Sequence, residues 1–254
     1  MRAARSALPT TLDEFIKWYR AAGELRVFWL KPVRSIEVIN SSSTSYAISA
    51  TWVVRGRLRR AVISVSRSFA EALDLVRGRD VAIVLTPEGD PTVDYSLVSA
   101  EGILYFWDLS RLSLLKPNED VVVRAFSSWG DSLAGDIAAV HRSSWGFYVP
   151  PRRGVHVVLV AYLSGQPVGA AYLNTANFNI DYGVHCARRY WRMRFGTRVL
   201  KEIVDLARGF GARYVSVVRV FRRVKGSGSD RRAVAFYRAN KPRYTLRVFR
   251  VGGG

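Results

Sequence analysis

The sequence predicts an α+β protein in two segments, and three observations lead to that prediction. Short runs of β-branched and aromatic residues alternate with amphipathic stretches that have the period of a helix. Turns such as Ser164-Gly165-Gln166 join neighbouring runs, which favours antiparallel hairpins. The charge balance changes after Leu115-Lys116-Pro117-Asn118-Glu119-Asp120, a polar stretch that contains a proline. We therefore predict one domain at 1–116 and a second at 117–254.

The first segment begins with a predicted helix at Thr11–Ala22, whose apolar face carries Phe15 and Tyr19. Thr11 and Glu14 have the spacing of a capping box at the start of that helix. No motif in this segment indicates a particular chemistry. The other elements predicted here are strands at Arg26–Leu30, Ser35–Ile39, Tyr46–Val54, Arg60–Val65, Val81–Leu85, Val93–Val98 and Ile103–Trp107, and a short helix at Ser68–Val76.

The second segment is predicted to contain both strands and helices, and three of its strands follow one another before its longest helix. Its longest helix, Thr197–Ala207, has an apolar face of Val199, Leu200, Ile203, Val204 and Leu206. The other predicted elements are strands at Val121–Ala125, Val155–Leu163, Pro167–Leu173, Phe178–Cys186, Arg213–Phe221 and Tyr244–Val251, and helices around Ile137–His141 and at Arg231–Ala239.

Composition excludes several classes of protein. The longest apolar runs, such as Val157–Leu163, are much shorter than the roughly 20 residues that a membrane-spanning helix needs. The basic start of the chain has no apolar stretch of the kind found in secretion signals. One cysteine, Cys186, and three scattered histidines argue against a disulfide or a metal site. We therefore expect a cytoplasmic protein that has no membrane partner and no bound metal.

The net charge of +19 lies almost wholly in the second segment. Residues 1–121 contain 16 Lys and Arg against 14 Asp and Glu, whereas residues 122–254 contain 23 against 6. Most of these cations are arginines, whose planar guanidinium binds phosphate and stacks on bases. The charge predicts a polyanionic partner, with RNA, tRNA or the ribosome as the first candidates. A general bias of the genome toward arginine is the alternative explanation.

The most informative stretch is Asn179–Arg208, which predicts a strand, a basic loop and an amphipathic helix. The loop meets the helix at Arg194-Phe195-Gly196-Thr197. A glycine at such a junction lets backbone N–H groups close on a phosphate, and the helix dipole favours negative charge there. The sequence therefore predicts a phosphate-binding turn.

Together these pieces resemble the GCN5-related N-acetyltransferase (GNAT) family over about 121–251. The hairpin at Val157–Leu173 is similar to the family's central hairpin, and Phe178–Cys186 to the strand that splays from its neighbour beside the pantetheine arm of acetyl-CoA. Trp191–Gly196 stands in place of the pyrophosphate motif Gln/Arg-x-x-Gly-x-Gly/Ala. Asp230–Tyr237 is similar to the family's Asn-x-x-Ala-x-x-φ-Tyr, where φ is apolar. The resemblance implies a mixed, mostly antiparallel sheet flanked by helices, and acetyl-CoA as cosubstrate.

The pyrophosphate motif is divergent, because Trp191 replaces Gln or Arg and Arg194 replaces the first glycine. Gly196 is kept, and Asp230 stands where the family has asparagine. A turn that no longer binds a cofactor is the alternative reading. The residues that the resemblance places against acetyl-CoA are Val184, Cys186, Arg192, Met193, Arg194, Phe195, Gly196, Thr197 and Asp230.

Tyr237 matches the family tyrosine that protonates the leaving thiolate, and a phenol within hydrogen-bond reach can supply that proton. The alternative is that Tyr237 is a buried aromatic residue only. Two residues are candidates for the general base: Asp181, and His185, which titrates in the useful range. Strand alternation puts Asp181, Gly183 and His185 on one face, and Tyr182, Val184 and Cys186 on the other.

A further group of basic residues is predicted to contact nucleic acid: Arg188, Arg189, Arg219, Arg222, Arg223, Lys225 and Arg243.

Two main functions follow from these observations. The first is an acetyl-CoA-dependent N-acetyltransferase that acts on an RNA-associated or nucleoprotein substrate. The second is a GNAT-like protein that has lost catalysis and binds RNA or the ribosome. An acetyltransferase for a small or protein amine, basic only incidentally, is a third possibility. The first segment is expected to position or recognise the substrate, and resembles faintly a degenerate second GNAT-like unit. The sequence leaves the oligomeric state open.

Overall fold

The α+β prediction is confirmed by the computed structural model, which combines curled, largely antiparallel sheets with flanking helices. The predicted strand at Arg26–Leu30 lies outside the described residues, as does the loop that follows Phe221. The structure describes residues 8–22, 33–54, 56–78, 82–221 and 231–252.

The helices agree closely with the sequence pattern. The helix predicted at Thr11–Ala22 begins three residues earlier, and the one at Arg231–Ala239 has the predicted bounds. Among the described residues, no helix is both long enough and apolar enough to cross a membrane. The helices are α1 (Leu8–Ala22), α2 (Phe69–Asp74), α3 (Asp131–Trp145), α4 (Phe195–Gly209) and α5 (Arg231–Ala239), and short 3₁₀ turns lie at Tyr95–Leu97 and Arg188–Tyr190.

The strands also follow the prediction, with one exception. No strand forms over Val93–Ser96, because the Asp94 carboxylate accepts the Ser96 N–H and starts a 3₁₀ turn. The strands are β1 (Ser35–Ser41), β2 (Tyr46–Val54), β3 (Arg57–Val65), β4 (Ala82–Pro87), β5 (Val98–Asp108), β6 (Val122–Phe126), β7 (His156–Leu163), β8 (Gln166–Asn174), β9 (Ile180–Cys186), β10 (Tyr214–Val220) and β11 (Tyr244–Val251).

The first compact unit comprises residues 1–105, 220–231 and 244–254. Its strands follow the order β1-β2-β3-β4-β11-β5, with β1, β2 and β3 antiparallel and β3 parallel to β4. The parallel pair is joined through α2, whose Phe69 packs edge to face on Phe249 of β11. The unit therefore contains a strand, a helix and a parallel strand in succession.

The second compact unit comprises residues 106–219 and 232–243. Its antiparallel sheet has the order β6-β7-β8-β9. Ala170 of β8 packs in a cluster with Ile137 of α3, while the Cα of the preceding Gly169 faces Val199 of α4. Because neighbouring residues of a strand point to opposite faces, α3 and α4 cover the two sides of the sheet. The division of the sequence at 116 and 117 stays a prediction.

The strand β9 separates from β10 soon after the two meet. Within residues 82–221 their backbones join at one parallel bridge, Asn179–Ser216. Further along β9, the hydroxyl of Tyr237 on α5 reaches the backbone of Val184. The splayed geometry leaves room for a side chain of α5 beside β9, and the candidate site lies there.

Candidate active site

The middle of β9 contains a wide bulge. Asp181 and His185 pair with residues of β8 that are two positions apart, so three residues of β9 lie opposite one residue of β8. Two of those three have left-handed backbone, with φ of 65° at Tyr182 and 90° at Gly183. The bulge turns the backbone amide of the next residue, Val184, toward α5.

The bulge also changes which side chains share a face. Asp181 and His185 lie on one face, as predicted, because the β8 residues paired with them both pack in the core beneath α3. The predicted position of Tyr182 on the opposite face is wrong. Its ring lies 6.4 Å from that of Trp145 on α3, and the His185 ring is 4.0 Å from the same tryptophan. Simple alternation fails here because the left-handed residues rotate the strand between Asp181 and Val184.

Tyr237 meets the bulge from α5. Its Oη accepts a hydrogen bond of 3.0 Å from the Val184 N–H, and a Cβ on Gly183 would lie 2.7 Å from the same oxygen. The side chain is 2% exposed. Burial raises the pKa of Tyr237, while the Val184 amide and the Arg219 charge lower it by less. The phenol therefore keeps its proton at neutral pH and can donate it.

The turn before α4 has an unusual backbone. Arg194 is the N-cap residue with φ of 62°, and Arg192 has φ of 68°. For an ordinary L-residue this left-handed conformation costs about 1–2 kcal/mol, and glycine adopts it freely. Arg194 thus has the conformation that a glycine favours, at the position where the GNAT motif has its first glycine. The shape of the turn is retained although the residue has changed.

No side chain caps the first turn of α4 in this structure. The first backbone N–H groups of a helix have no partner within the helix, so this end can accept an anion. The corresponding end of α2 in the first unit differs. There the N–H groups of its first three residues are bonded to side-chain oxygens of Asp90, Thr92 and Ser68. Of these two helix ends, the one at α4 is the end that can receive a phosphate.

Gly196 has a packing role that the sequence motif did not indicate. A Cβ at this position would lie 3.0 Å from the Phe236 ring of α5 and 3.4 Å from the Cys186 sulfur of β9. The glycine therefore lets the start of α4 approach both elements closely. The GNAT motifs that Gly196 and Phe236 match are the signal in the sequence that could have suggested this contact.

Replacing Arg194 by glycine is expected to raise the free energy of unfolding by about 1 kcal/mol, because the left-handed conformation is then unstrained. Chemical denaturation of the purified protein measures the change. Arg189→Gly is the matched control, since Arg189 lies in a 3₁₀ turn without positive φ. That variant should be less stable than the wild type. An Arg194→Gly protein with no gain in stability would contradict strain at the turn.

The residues predicted to contact acetyl-CoA differ in how far they are exposed. Arg192, Met193 and Arg194 are exposed, whereas the side chains of Phe195 and Thr197 are buried and leave only their backbone available. Val184 and Cys186 are half-buried on β9, and burial raises the pKa of the Cys186 thiol to about 12. Asp230 lies outside the described residues.

Asp181 is held in a dense hydrogen-bond network. Its carboxylate accepts from His156 Nε2 at 2.9 Å, Arg152 at 3.1 Å, Asn174 at 3.1 Å and Asn179 at 2.8 Å. Burial by itself would raise the pKa of Asp181, but the His156 and Asn179 contacts outweigh it and the pKa is lowered. The group is therefore an ionised structural anchor between the ends of β7, β8 and β9.

Replacing Asp181 by asparagine is expected to lower the free energy of unfolding at pH 7 by about 2 kcal/mol, because hydrogen bonds to a charged group are lost. The folded-state pKa lies below the unfolded value of about 4, so the advantage of the wild type is full above that pH. It declines as the pH falls further. Chemical denaturation of both proteins at pH 7 and pH 3 measures the difference in their free energy of unfolding. An equal difference at both pH values would contradict an ionised Asp181.

His185 is buried and fully engaged. Its Nε2 donates to the Tyr182 carbonyl at 3.0 Å, and its Nδ1 lies 3.2 Å from Ser144 Oγ. Burial, and next the neighbouring His141, lower the pKa of His185 to about 3. The imidazole is therefore neutral at physiological pH, and its remaining lone pair already faces a hydroxyl.

The arginines predicted to contact nucleic acid differ in exposure. Arg188 and Arg189 are exposed beside the turn, whereas Arg219 and Arg243 are half-buried. The Arg189 guanidinium lies 4.7 Å from the centre of the Tyr190 ring, so this pair forms a cation–π contact on the surface. The other predicted contacts, Arg222, Arg223 and Lys225, lie outside the described residues.

Known proteins were compared with this chain. A model of the acetyltransferase (GNAT) family matches residues 124–240, and no curated protein matches the chain. A solved GCN5-related N-acetyltransferase from Kribbella flavida is 12% identical, with a TM-score of 0.48 and coverage of 99% of this chain and 98% of its own. The ribosomal-protein-S18-alanine N-acetyltransferase from Escherichia coli is 10% identical, with a TM-score of 0.35 and coverage of 52% and 92% respectively. On the family match, the C-terminal half of the chain belongs to the GNAT acetyltransferase family, as its motifs predicted.

Proposed function

We propose that this protein is an acetyl-CoA-dependent N-acetyltransferase in which the acceptor amine attacks the thioester directly. The observation that carries the proposal is the meeting of the Tyr237 hydroxyl with the Val184 N–H at the bulge of β9. The first turn of α4 lies close by, since Gly196 packs beside Cys186, two residues beyond Val184. A proton donor, a backbone amide and an uncapped helix end thus occupy one region.

The donor substrate fits the groups that the chain presents. The uncapped N–H groups of α4 and the exposed Arg192 and Arg194 suit a pyrophosphate. By the resemblance to the GNAT family, we assign the pantetheine arm to the splayed strand β9. We assign the acyl group to the point where Val184 and Tyr237 meet.

Val184 and Tyr237 have different roles in the reaction. The Val184 N–H donates to the Tyr237 hydroxyl in this structure, and in the proposed complex the acetyl carbonyl oxygen replaces that hydroxyl as its acceptor. The amine nitrogen bonds to the carbonyl carbon of acetyl-CoA, and the Val184 N–H donates to the carbonyl oxygen as charge develops. When the carbon–sulfur bond breaks, the thiolate takes the Tyr237 proton, and the proton that the nitrogen loses returns to Tyr237 through water. The raised pKa of Tyr237 keeps the phenol protonated until that step.

For the proton of an incoming ammonium, we propose water rather than a protein side chain as the acceptor. Asp181 already accepts four hydrogen bonds, and His185 is neutral with both nitrogens engaged. Both were predicted as bases, and their surroundings favour structural roles instead.

We further propose that the acceptor is RNA-associated or part of a nucleoprotein. The support is the charge of residues 122–254, which contain 23 Lys and Arg against 6 Asp and Glu, together with the exposed Arg188 and Arg189. The first unit would then position or recognise that substrate. Incubation with labelled acetyl-CoA and either purified RNA or ribosomal proteins, followed by mass spectrometry, tests the proposal. We expect the label on one of these pools, and acetyl-CoA binding with no label on either would overturn the substrate class.

RNA affinity is expected to fall steeply with salt. Each phosphate contact with a single strand contributes about −0.7 to the slope of log K against log salt, so four contacts give about −3. Fluorescence anisotropy with a labelled single-stranded RNA measures the slope. Substituting Arg188 and Arg189 by glutamine should flatten it, whereas Arg77→Gln, an exposed arginine of the first unit, should not. A flat response of the wild type would contradict a polyanionic partner.

The second candidate is a GNAT-fold protein that binds RNA or the ribosome without catalysis. The replacement of the motif glycine by Arg194 favours it, because a long side chain stands beside the expected pyrophosphate. The retained left-handed turn and the protonated Tyr237 favour the enzyme. Acetyl-CoA binding decides between the two.

A further inference from the structure

An aromatic cluster lies on the α3 side of the bulge, and the proposed reaction has not used it. We define it as Trp145, Phe147 and Tyr182. The Trp145 and Phe147 rings are stacked with centroids 5.0 Å apart, and the Tyr182 ring meets Trp145 edge on at 6.4 Å. The cluster forms because Gly146 ends α3 with φ of 90°, and the chain then turns back. It is a surface built by the end of a helix and by the bulge itself.

Two members of the cluster expose an unusual amount of ring. Phe147 is 51% exposed and Tyr182 is 42% exposed, while Trp145 is half-buried between them. Large aromatic side chains gain free energy by burial, so neighbouring exposed rings on one surface indicate a site that a ligand covers. The free ring faces offer stacking and apolar contact.

The cluster adjoins the proposed reaction centre along β9. Tyr182 is followed directly by Gly183 and Val184, the residues that contact the Tyr237 hydroxyl. The start of α4 approaches β9 at Cys186, whereas Tyr182 points toward α3. A donor bound along α4 would therefore leave the α3 side to the acceptor.

The charges around the cluster favour an uncharged acceptor. His185 and His141 lie beside Trp145, and burial lowers the pKa of His141 to about 4, so both rings are neutral. The nearest carboxylate on this face of β9, Asp181, is engaged by four donors. Among residues 82–221, the rings that contact Trp145 and Tyr182 are those of Phe147, Tyr172, His141 and His185, and all of them are uncharged. An alkylammonium ion would find no free counter-charge in those contacts.

We propose that the aromatic cluster binds the acyl acceptor, and that the acceptor is an amino group carried on a planar aromatic ring. The inference rests on the proposed function. An amine of this class is uncharged at neutral pH because its lone pair is delocalised into the ring, so it needs no base before it attacks. The nitrogen bonds to the acetyl carbon, the carbon–sulfur bond breaks, Tyr237 protonates the sulfur, and the proton lost by nitrogen returns to Tyr237 through water. The products are an N-acetylated ring amine and free CoA.

Two sources could supply this chemistry, a free arylamine or the exocyclic amine of a nucleobase in single-stranded RNA. Both present a flat ring to stack on Phe147 and Tyr182. The test compares aniline with cyclohexylamine, its saturated match, and adds cytidine and a short single-stranded RNA as acceptors. Aniline should be acetylated at least about tenfold faster than cyclohexylamine at pH 7. Faster transfer to RNA than to aniline would identify the nucleobase as the source, and the reverse would identify the free amine.

Variants of the cluster give a second readout. Phe147→Ala and Tyr182→Leu should each raise the KM for the ring amine by about tenfold and leave the affinity for acetyl-CoA unchanged. Phe210→Ala is the matched control, because Phe210 is also 51% exposed but follows the far end of α4. Its KM should equal that of the wild type. Equal rates with aniline and cyclohexylamine, or an unchanged KM in both cluster variants, would overturn the proposal.

Binding without turnover separates this proposal from the proposed function. Saturation-transfer NMR detects aniline on the wild type in the presence of CoA, and the signal should weaken in Phe147→Ala. Absence of aniline binding by a protein that binds acetyl-CoA would overturn the aromatic acceptor alone. Failure to bind acetyl-CoA, with aniline still bound at the cluster, would overturn the enzyme function alone.

Discussion

Replacement of Tyr237 by phenylalanine is expected to lower kcat for acetyl transfer by about 100-fold, the lower end of the range for loss of a general acid. Burial keeps the phenol protonated beside Val184, so the variant loses the proton donor that the leaving thiolate uses. Acetyl-CoA affinity should stay within about twofold, because the ring and the backbone of the site remain. Steady-state kinetics and calorimetry measure the two quantities. Unchanged kcat would remove Tyr237 from the mechanism.

Tyr162→Phe is the control for the loss of a phenol. The Tyr162 hydroxyl donates to Asp136 at 2.7 Å, on β7 and α3. Its removal should lower the free energy of unfolding by about 1 kcal/mol and leave kcat unchanged. Tyr237→Phe should have a similar cost in stability, because the Val184 N–H loses its acceptor. The two variants thus differ in activity at comparable stability.

Replacement of Gly183 by alanine is expected to lower kcat by about 100-fold, since displacement of a reacting group by about 1 Å has effects of that size. A Cβ at Gly183 would lie 2.7 Å from Tyr237 Oη, so the hydroxyl must move away from Val184. The residue also has φ of 90°, which adds a strain of about 1–2 kcal/mol. Steady-state kinetics and chemical denaturation report the two effects.

Gly165→Ala is the control that separates the effect of backbone strain at a left-handed residue from the effect of displacing the Tyr237 hydroxyl. Gly165 has φ of 79° in the β7–β8 turn, and a Cβ there meets nothing within 4 Å. This variant should share the loss of stability but keep the wild-type kcat. If Gly183→Ala and Gly165→Ala behaved alike in kinetics, the contact between Gly183 and Tyr237 would have no role in turnover.

The sequence pattern predicted most of the fold because local periodicity determines it. The helix Arg231–Ala239 and the strand Tyr244–Val251 have the predicted bounds, and the hairpin at Ser164-Gly165-Gln166 forms as expected. The strand expected at Val93–Val98 does not form before Val98, because one aspartate side chain redirects the backbone. An alternating pattern does not reveal such a local competition for hydrogen bonds.

The site was less predictable, because it depends on contacts between residues distant in sequence. The bulge at Tyr182 and Gly183 cannot be inferred from alternation, and it decides which faces meet Tyr237 and Trp145. The hydrogen bonds of Asp181 also depend on residues that are distant in sequence, such as His156. The sequence therefore places both candidate bases in the correct strand but gives no information on their hydrogen bonds.

The turn before α4 is expected to bind acetyl-CoA although Arg194 replaces a glycine. Isothermal titration calorimetry of the full chain with acetyl-CoA at moderate salt tests it most directly. We predict saturable binding with one acetyl-CoA per chain and a dissociation constant below about 0.1 mM, or roughly −5.5 kcal/mol. Absence of binding heat at near-millimolar acetyl-CoA would contradict the enzyme and leave the RNA-binding alternative.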